Sequence, residues 1–93
     1  MPDIFLLMEI ETRQGVFEHS LINIGGLTHN KVHEQILLFV EDVYGTEGNK
    51  DFLAEEYYQI NFDELFDKQH LLVNKCLHLS VVFGINDFRM DEI

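Results

Sequence analysis

One amphipathic segment constrains the fold of this chain more than any other. Between residues 31 and 44, apolar side chains recur at the three- and four-residue spacing of one helical face: Val32, Ile36, Phe39, Val40 and Val43. Asn30 is a suitable N-cap, and Gly45 stands where a left-handed C-terminal cap is expected. The sequence therefore predicts a helix over residues 31–44, roughly 20 Å long, that packs one face on a core.

The residues before this helix have the two-residue period of strands. Residues 4–12 and 16–24 each read as a strand, and the Gly-containing turn at 13–15 joins them as a hairpin. If Thr12 faces Val16, Glu9 pairs with His19 across the hairpin. A two-residue loop would shift this register and separate the pair. One face of the first strand carries four apolar residues, namely Ile4, Leu6, Met8 and Ile10.

The second half of the chain gives weaker patterns. Residues 46–50 have the composition of a loop, and residues 55–60 are predicted to form a strand. Residues 61–66 read as a short helix with an asparagine cap and acids in its first turn. Residues 77–85 form a last strand, with Leu77, Leu79, Val81 and Phe83 on one face. Residues 70–73 either pair with that strand as a hairpin or finish the short helix.

Length and composition favour a small single α+β domain over residues 1–93, with a mostly antiparallel sheet and the central helix on one face. Residues 86–93 are expected to form a loosely held acidic tail. The single cysteine, Cys76, excludes an intrachain disulfide and favours a reducing compartment. No apolar run exceeds five residues, so neither a signal peptide nor a membrane span is expected, and the predicted location is cytoplasmic.

The charge is strongly acidic. Seventeen acids against six bases give a net charge of −11. Direct binding to nucleic acid or to an anionic membrane is disfavoured, because both need Lys and Arg. A basic protein surface is the expected partner, and a merely solvated acidic face is the alternative. Nine acids lie between residues 41 and 67, where Lys50 is the one base, and we call them the acidic cluster. They are Glu41, Asp42, Glu47, Asp51, Glu55, Glu56, Asp63, Glu64 and Asp67.

The sequence gives only weak indications of metal-binding or catalytic motifs. His29 and His33 stand four residues apart, and Cys76 and His78 alternate on the last strand, so a four-ligand metal site can be drawn. Structural zinc sites usually bring cysteine pairs, which this chain lacks, so no metal or cofactor is predicted. There is no phosphate-binding glycine loop and no nucleophile elbow. The sequence therefore predicts no enzyme.

Three residues are candidates for a contact surface. Leu38 falls among the charged side chains of the predicted helix, opposite its apolar face. Tyr57 and Tyr58 are adjacent, so a strand would expose one of them beside the acids. Core packing of both rings is equally compatible with the sequence.

Three functions are consistent with these features. The first is a non-enzymatic inhibitor or adaptor that docks its acidic residues on a basic partner, such as a nucleic-acid-binding protein. In size and charge the chain is similar to phage-encoded inhibitors of host defence and to nucleic-acid mimics. The second is a homodimeric structural module that assembles through an exposed sheet edge and Leu38. The third is a metal- or small-molecule-binding protein that uses the histidines.

Overall fold

The computed structural model describes residues 3–56, 60–73 and 76–84, and for residues 46–56 it describes the backbone alone. Four antiparallel strands form one open sheet in the order β2-β1-β4-β3, with two helices in the chain between β2 and β3. The predicted α+β class is confirmed. The elements are β1 (Ile4–Glu11), β2 (Phe17–Asn23), α1 (His29–Glu56), α2 (Phe62–Lys68), β3 (His70–Leu72) and β4 (Leu77–Phe83).

The N-terminal hairpin has the predicted register. The amide of Thr12 donates to the carbonyl of Val16 at 2.7 Å, and Gly15 takes the positive φ (79°) that the turn requires. Glu9 therefore lies opposite His19. The three-residue connection between these facing residues fixes the register, and the two-residue alternative does not occur.

The core lies between one face of the sheet and the two helices. β1 and β4 pair directly, and their alternate residues are buried together with the apolar stripe of α1 and the first turn of α2. Within the described ranges no polar or charged residue is buried. The best-buried members, each 2% exposed or less, are Leu6, Met8, Ile10, Val32, Ile36, Val40, Leu65, Leu77, Leu79 and Val81.

α1 begins at His29, two residues before the predicted start. The hydroxyl of Thr28 accepts a hydrogen bond from the amide of Lys31 at 3.3 Å, so Thr28 is the N-cap. The prediction that Asn30 caps this helix is wrong, because Asn30 lies inside the first turn. The predicted apolar face is confirmed, although Phe39 and Val43 at its flank are only partly buried.

Gly45 interrupts α1 without ending the helical chain. It takes the expected positive φ (78°) with ψ 173°, and helical backbone resumes over residues 46–56. The predicted loop at 46–50 is therefore wrong, and so is the predicted strand where it includes Glu55 and Glu56. A single glycine absorbs the non-helical angles, because glycine adopts a positive φ at little steric cost. The remaining part of that predicted strand, residues 57–59, lies outside the described residues.

The C-terminal half agrees better with the sequence pattern. The Asn61 side chain accepts a hydrogen bond from the amide of Glu64 at 3.0 Å and caps α2, as predicted. Gln69, with φ 65°, ends the helix, and β3 then pairs with β4 as a hairpin. Phe83 is 43% exposed because the strand ends there, although it has the core-facing register. The predicted acidic tail at 86–93 lies outside the described residues.

Candidate functional site

The solvent face of α1 carries an apolar side chain among acids. Leu38 is 60% exposed, as its position opposite the apolar stripe predicted. It shares a shallow groove of about 370 Å³ with Leu37, which is half-buried, and with Glu34 and Glu41, which are exposed. Lys31 pairs with Glu34 at 3.3 Å at one end of this face. The helix thus presents an apolar centre with a mostly acidic rim.

The acidic cluster is divided between the two helices. Glu41 and Asp42 are exposed on α1, and Asp63 and Asp67 are exposed on α2. Glu64 is half-buried and pairs with Lys68 at 3.0 Å. Four other members, Glu47, Asp51, Glu55 and Glu56, have helical backbone in α1, but their side chains are outside the described part of the chain, and so are Tyr57 and Tyr58 entirely.

The helix histidines pack against an aromatic ring. The ring centroids of His29 and His33 lie 4.7 and 4.6 Å, respectively, from the ring centroid of Phe62. These contacts join the start of α1 to the start of α2. Burial, with a smaller contribution from His29, lowers the pKa of His33 below its usual 6.5. The neutral form of His33 is therefore favoured at this contact.

The four-ligand metal site drawn from the sequence is not assembled. His78 lies on the sheet face opposite the helices, where it meets Glu9, whereas His29 and His33 contact α2. Cys76 interacts instead with the hydroxyl of Tyr44. Across the described ranges, no three His, Cys, Asp or Glu side chains are arranged to hold a metal ion.

A row of ionisable side chains crosses the outer sheet face. Glu9 lies between His19 and His78, with nitrogen-to-oxygen distances of 3.2 and 3.6 Å. The ring of His70 meets that of His78 edge-on, with 6.0 Å between centroids. The hairpin register predicted the Glu9–His19 pair. The addition of His78 and His70 depends on β4 pairing with β1, for which the sequence carried no local signal.

A polar cleft of about 580 Å³ separates the hairpin turn from the middle of α1, with Glu18 and Asp42 in its lining. The Tyr44 hydroxyl donates a hydrogen bond to the carbonyl of Glu11, and the Arg13 guanidinium lies 5.5 Å from the centre of the Tyr44 ring. Burial, and next the neighbouring Cys76, raise the pKa of Tyr44. These contacts fasten the hairpin to the helix.

Comparison with known proteins gives no relative: no family model, curated protein or solved structure matches the chain significantly. Within the described residues, no helix has the length and apolar character needed to cross a membrane.

Proposed function

We propose that this protein is a non-enzymatic binding module that docks a basic partner protein through the solvent face of α1. The observation that carries the proposal is Leu38, which is 60% exposed between Glu34 and Glu41. A single exposed leucine is common on protein surfaces. Here it shares a concave groove with Leu37, and an apolar centre with a charged rim is typical of protein interfaces.

Charge supports a basic partner. The whole chain carries −11, and Asp42 adds another exposed carboxylate near the groove. A surface of one sign accelerates encounter with a surface of the opposite sign. A partner that normally binds nucleic acid has such a surface, so the protein would act as an inhibitor or adaptor, in the manner of phage-type inhibitors of host defence or nucleic-acid mimics.

Two further expectations belong to this proposal. On charge and residue type alone, Glu47, Asp51, Glu55 and Glu56, with Tyr57 and Tyr58, are proposed as further contacts of the partner. The lone cysteine, Cys76, fits a cytoplasmic location for the complex.

The test begins with a site-specific cross-linker. Leu38 is replaced by a photo-reactive amino acid, and the full chain is used to capture proteins from the native host. The same replacement at Val16, which is 56% exposed in the hairpin turn, is the matched control. A basic protein cross-linked from position 38 and not from position 16 would support the proposal. Equal cross-linking from both positions would contradict it.

Charge reversal then tests the rim with the captured protein. Glu34→Lys with Glu41→Lys reverses two exposed acids beside the groove, whereas Asp3→Lys with Glu18→Lys reverses two exposed acids on the hairpin. We expect the first pair to slow association by about tenfold at low salt and to flatten its salt dependence, because the steering field is local. If both pairs change the association rate equally, the acidic surface only solvates the protein.

A further inference from the structure

The inner face of β2 carries polar side chains near the hairpin turn. Glu18 lies opposite Ile10, which is fully buried on the helix side of the sheet. Ser20 lies opposite Met8, which is buried on the same side. Directly opposed residues of paired strands share a face, so Glu18 and Ser20 also face the helix side. Burying an unpaired carboxylate there would cost much free energy, and Glu18 is instead exposed at the cleft of about 580 Å³ that separates the turn from α1.

This cleft has the size and composition of a site for a small polar molecule. Phe39 and Val43, half-buried at the flank of the α1 stripe, give it an apolar side. Ser20 and Gln14 add a hydroxyl and an amide, and charged groups of both signs complete the lining. Its volume lies within the range of roughly 300–1,000 Å³ that is typical of ligand pockets. The polar share of the lining favours a polar ligand.

Opposite charges line this cleft without pairing with each other. Arg13 comes from the hairpin turn, Glu18 from β2 and Asp42 from α1. The ion pairs of the described residues include none of these three side chains. His19, which also lines the cleft, is hydrogen-bonded to Glu9 at 3.2 Å. One positive and two negative groups are therefore left to contact a ligand.

Arg13 is held in place for contact with a carboxylate. Its guanidinium carbon lies over the ring of Tyr44, 5.5 Å from the ring centre. Tyr44 is itself fastened, because its hydroxyl donates a hydrogen bond to the carbonyl of Glu11. Stacking on a ring engages the face of a guanidinium and leaves the N–H groups at its edge, which bind a carboxylate in bidentate fashion. The turn thus presents an oriented donor for an acidic group.

The two signs of charge identify the class of ligand. A ligand with one sign of charge would be attracted by part of this lining and repelled by another part. We propose that the cleft binds a small zwitterion of the free amino-acid or dipeptide class. Its carboxylate meets Arg13, its ammonium group meets Glu18 and Asp42, and its apolar side chain lies against Phe39. This binding is independent of the proposed docking of a basic protein on the solvent face of α1.

Nuclear magnetic resonance titration of the full chain tests the proposal, with the dipeptide leucyl-leucine as the probe. We expect the backbone amides of residues 12–20 and 39–44 to shift, with a Kd of about 0.1–1 mM, as for a ligand of this size with ordinary efficiency per atom. N-acetyl-leucyl-leucine lacks the ammonium group, and leucyl-leucine amide lacks the carboxylate. Each should bind at least about tenfold more weakly, because each loses one charged contact.

Variants assign the two ends of the probe to the two signs of charge. Arg13→Gln should bring leucyl-leucine and its amide to equal affinity. Glu18→Gln should narrow the difference between leucyl-leucine and its N-acetyl form. Glu34→Gln removes an exposed carboxylate on the solvent face of α1 and should leave the Kd unchanged. Circular dichroism verifies folding, and the three probes on the unsubstituted chain decide the question if a variant fails to fold.

Three results would overturn the proposal. The first is no shift of the amides around the cleft at about 10 mM probe, or shifts spread evenly over the whole surface. The second is equal affinity of the unsubstituted chain for the three probes, because a zwitterion site must distinguish them. The third is a loss of affinity in Glu34→Gln as large as that in Glu18→Gln.

Discussion

The burial of Ile36 makes the apolar face of α1 directly testable. Ile36 is fully buried and belongs to the core cluster between α1 and the sheet. Replacement by alanine removes three carbon atoms, worth about 2.4 kcal/mol at about 0.8 kcal/mol each, and leaves a cavity that raises the cost. We expect Ile36→Ala to reduce the free energy of unfolding by about 3–4 kcal/mol.

Leu38 provides a matched control on the same helix. It lies two residues away but is 60% exposed, so most of its side chain contacts water in the folded protein. Leu38→Ala removes the same number of carbon atoms while leaving no internal cavity. We expect it to cost less than about 1 kcal/mol, in keeping with surface substitutions.

Urea unfolding followed by circular dichroism at 222 nm measures both values. With a urea dependence of about 1–1.5 kcal/mol per molar, Ile36→Ala should lower the midpoint by roughly 2–4 M, and Leu38→Ala by less than about 1 M. For a domain with a stability of about 5–15 kcal/mol, the first loss is between about a fifth and four fifths of the total. Equal losses for the two variants would mean that α1 does not pack on the sheet through the Ile36 face.

Other features of the chain give further tests. Gly45→Ala should cost about 1–3 kcal/mol in urea unfolding, because φ 78° with ψ 173° is essentially restricted to glycine; no loss would contradict that backbone geometry. Asn61→Ala should cost about 1 kcal/mol by removing the cap of α2, whereas Asn61→Asp should retain most of the stability. The pKa of His33 is lower in the folded protein than in the unfolded chain, so protonation of His33 favours unfolding. The stability associated with neutral His33 is therefore fully present above pH 6.5 and is lost as the pH falls through the lowered pKa of the folded state. His33→Gln should therefore melt with a smaller pH dependence in that range, and an unchanged dependence would assign it to other groups. Because Phe62 packs against the imidazoles of His29 and His33, a strong chelator should leave the melting temperature unchanged; a drop of more than a few degrees would reveal a bound metal.

Local chemistry explains why parts of the candidate sites could be predicted. The helical period alone placed Leu38 opposite the buried stripe of α1, and the structure exposes it there. The turn at Gly15 indicated a hairpin register that puts Glu9 opposite His19, and the structure excludes the two-residue loop that the sequence left open. Both inferences depend on residues close in sequence, whose geometry the backbone restricts strongly.

The end of α1 shows where local signals were misleading. A glycine followed by polar residues is typical of a helix stop, and Gly45 does adopt a positive φ. Helical backbone nevertheless resumes at once and extends to Glu56. The sequence also indicated Asn30 as the N-cap, whereas the helix begins two residues earlier and Thr28 caps it. Propensity ranks such alternatives by a few tenths of a kcal/mol, which packing readily exceeds.

The sequence by itself determined the strands of the hairpin, the buried stripe of α1, the Asn61 cap and the alternation of β4, because each is set by side-chain period or by one local hydrogen bond. The tertiary structure alone decided that β4 pairs with β1. That pairing brings His78 to Glu9, nearly seventy residues away in sequence, and separates it from His29 and His33. Contacts at such separation depend on closing a long loop and burying a shared core. No local pattern encodes them.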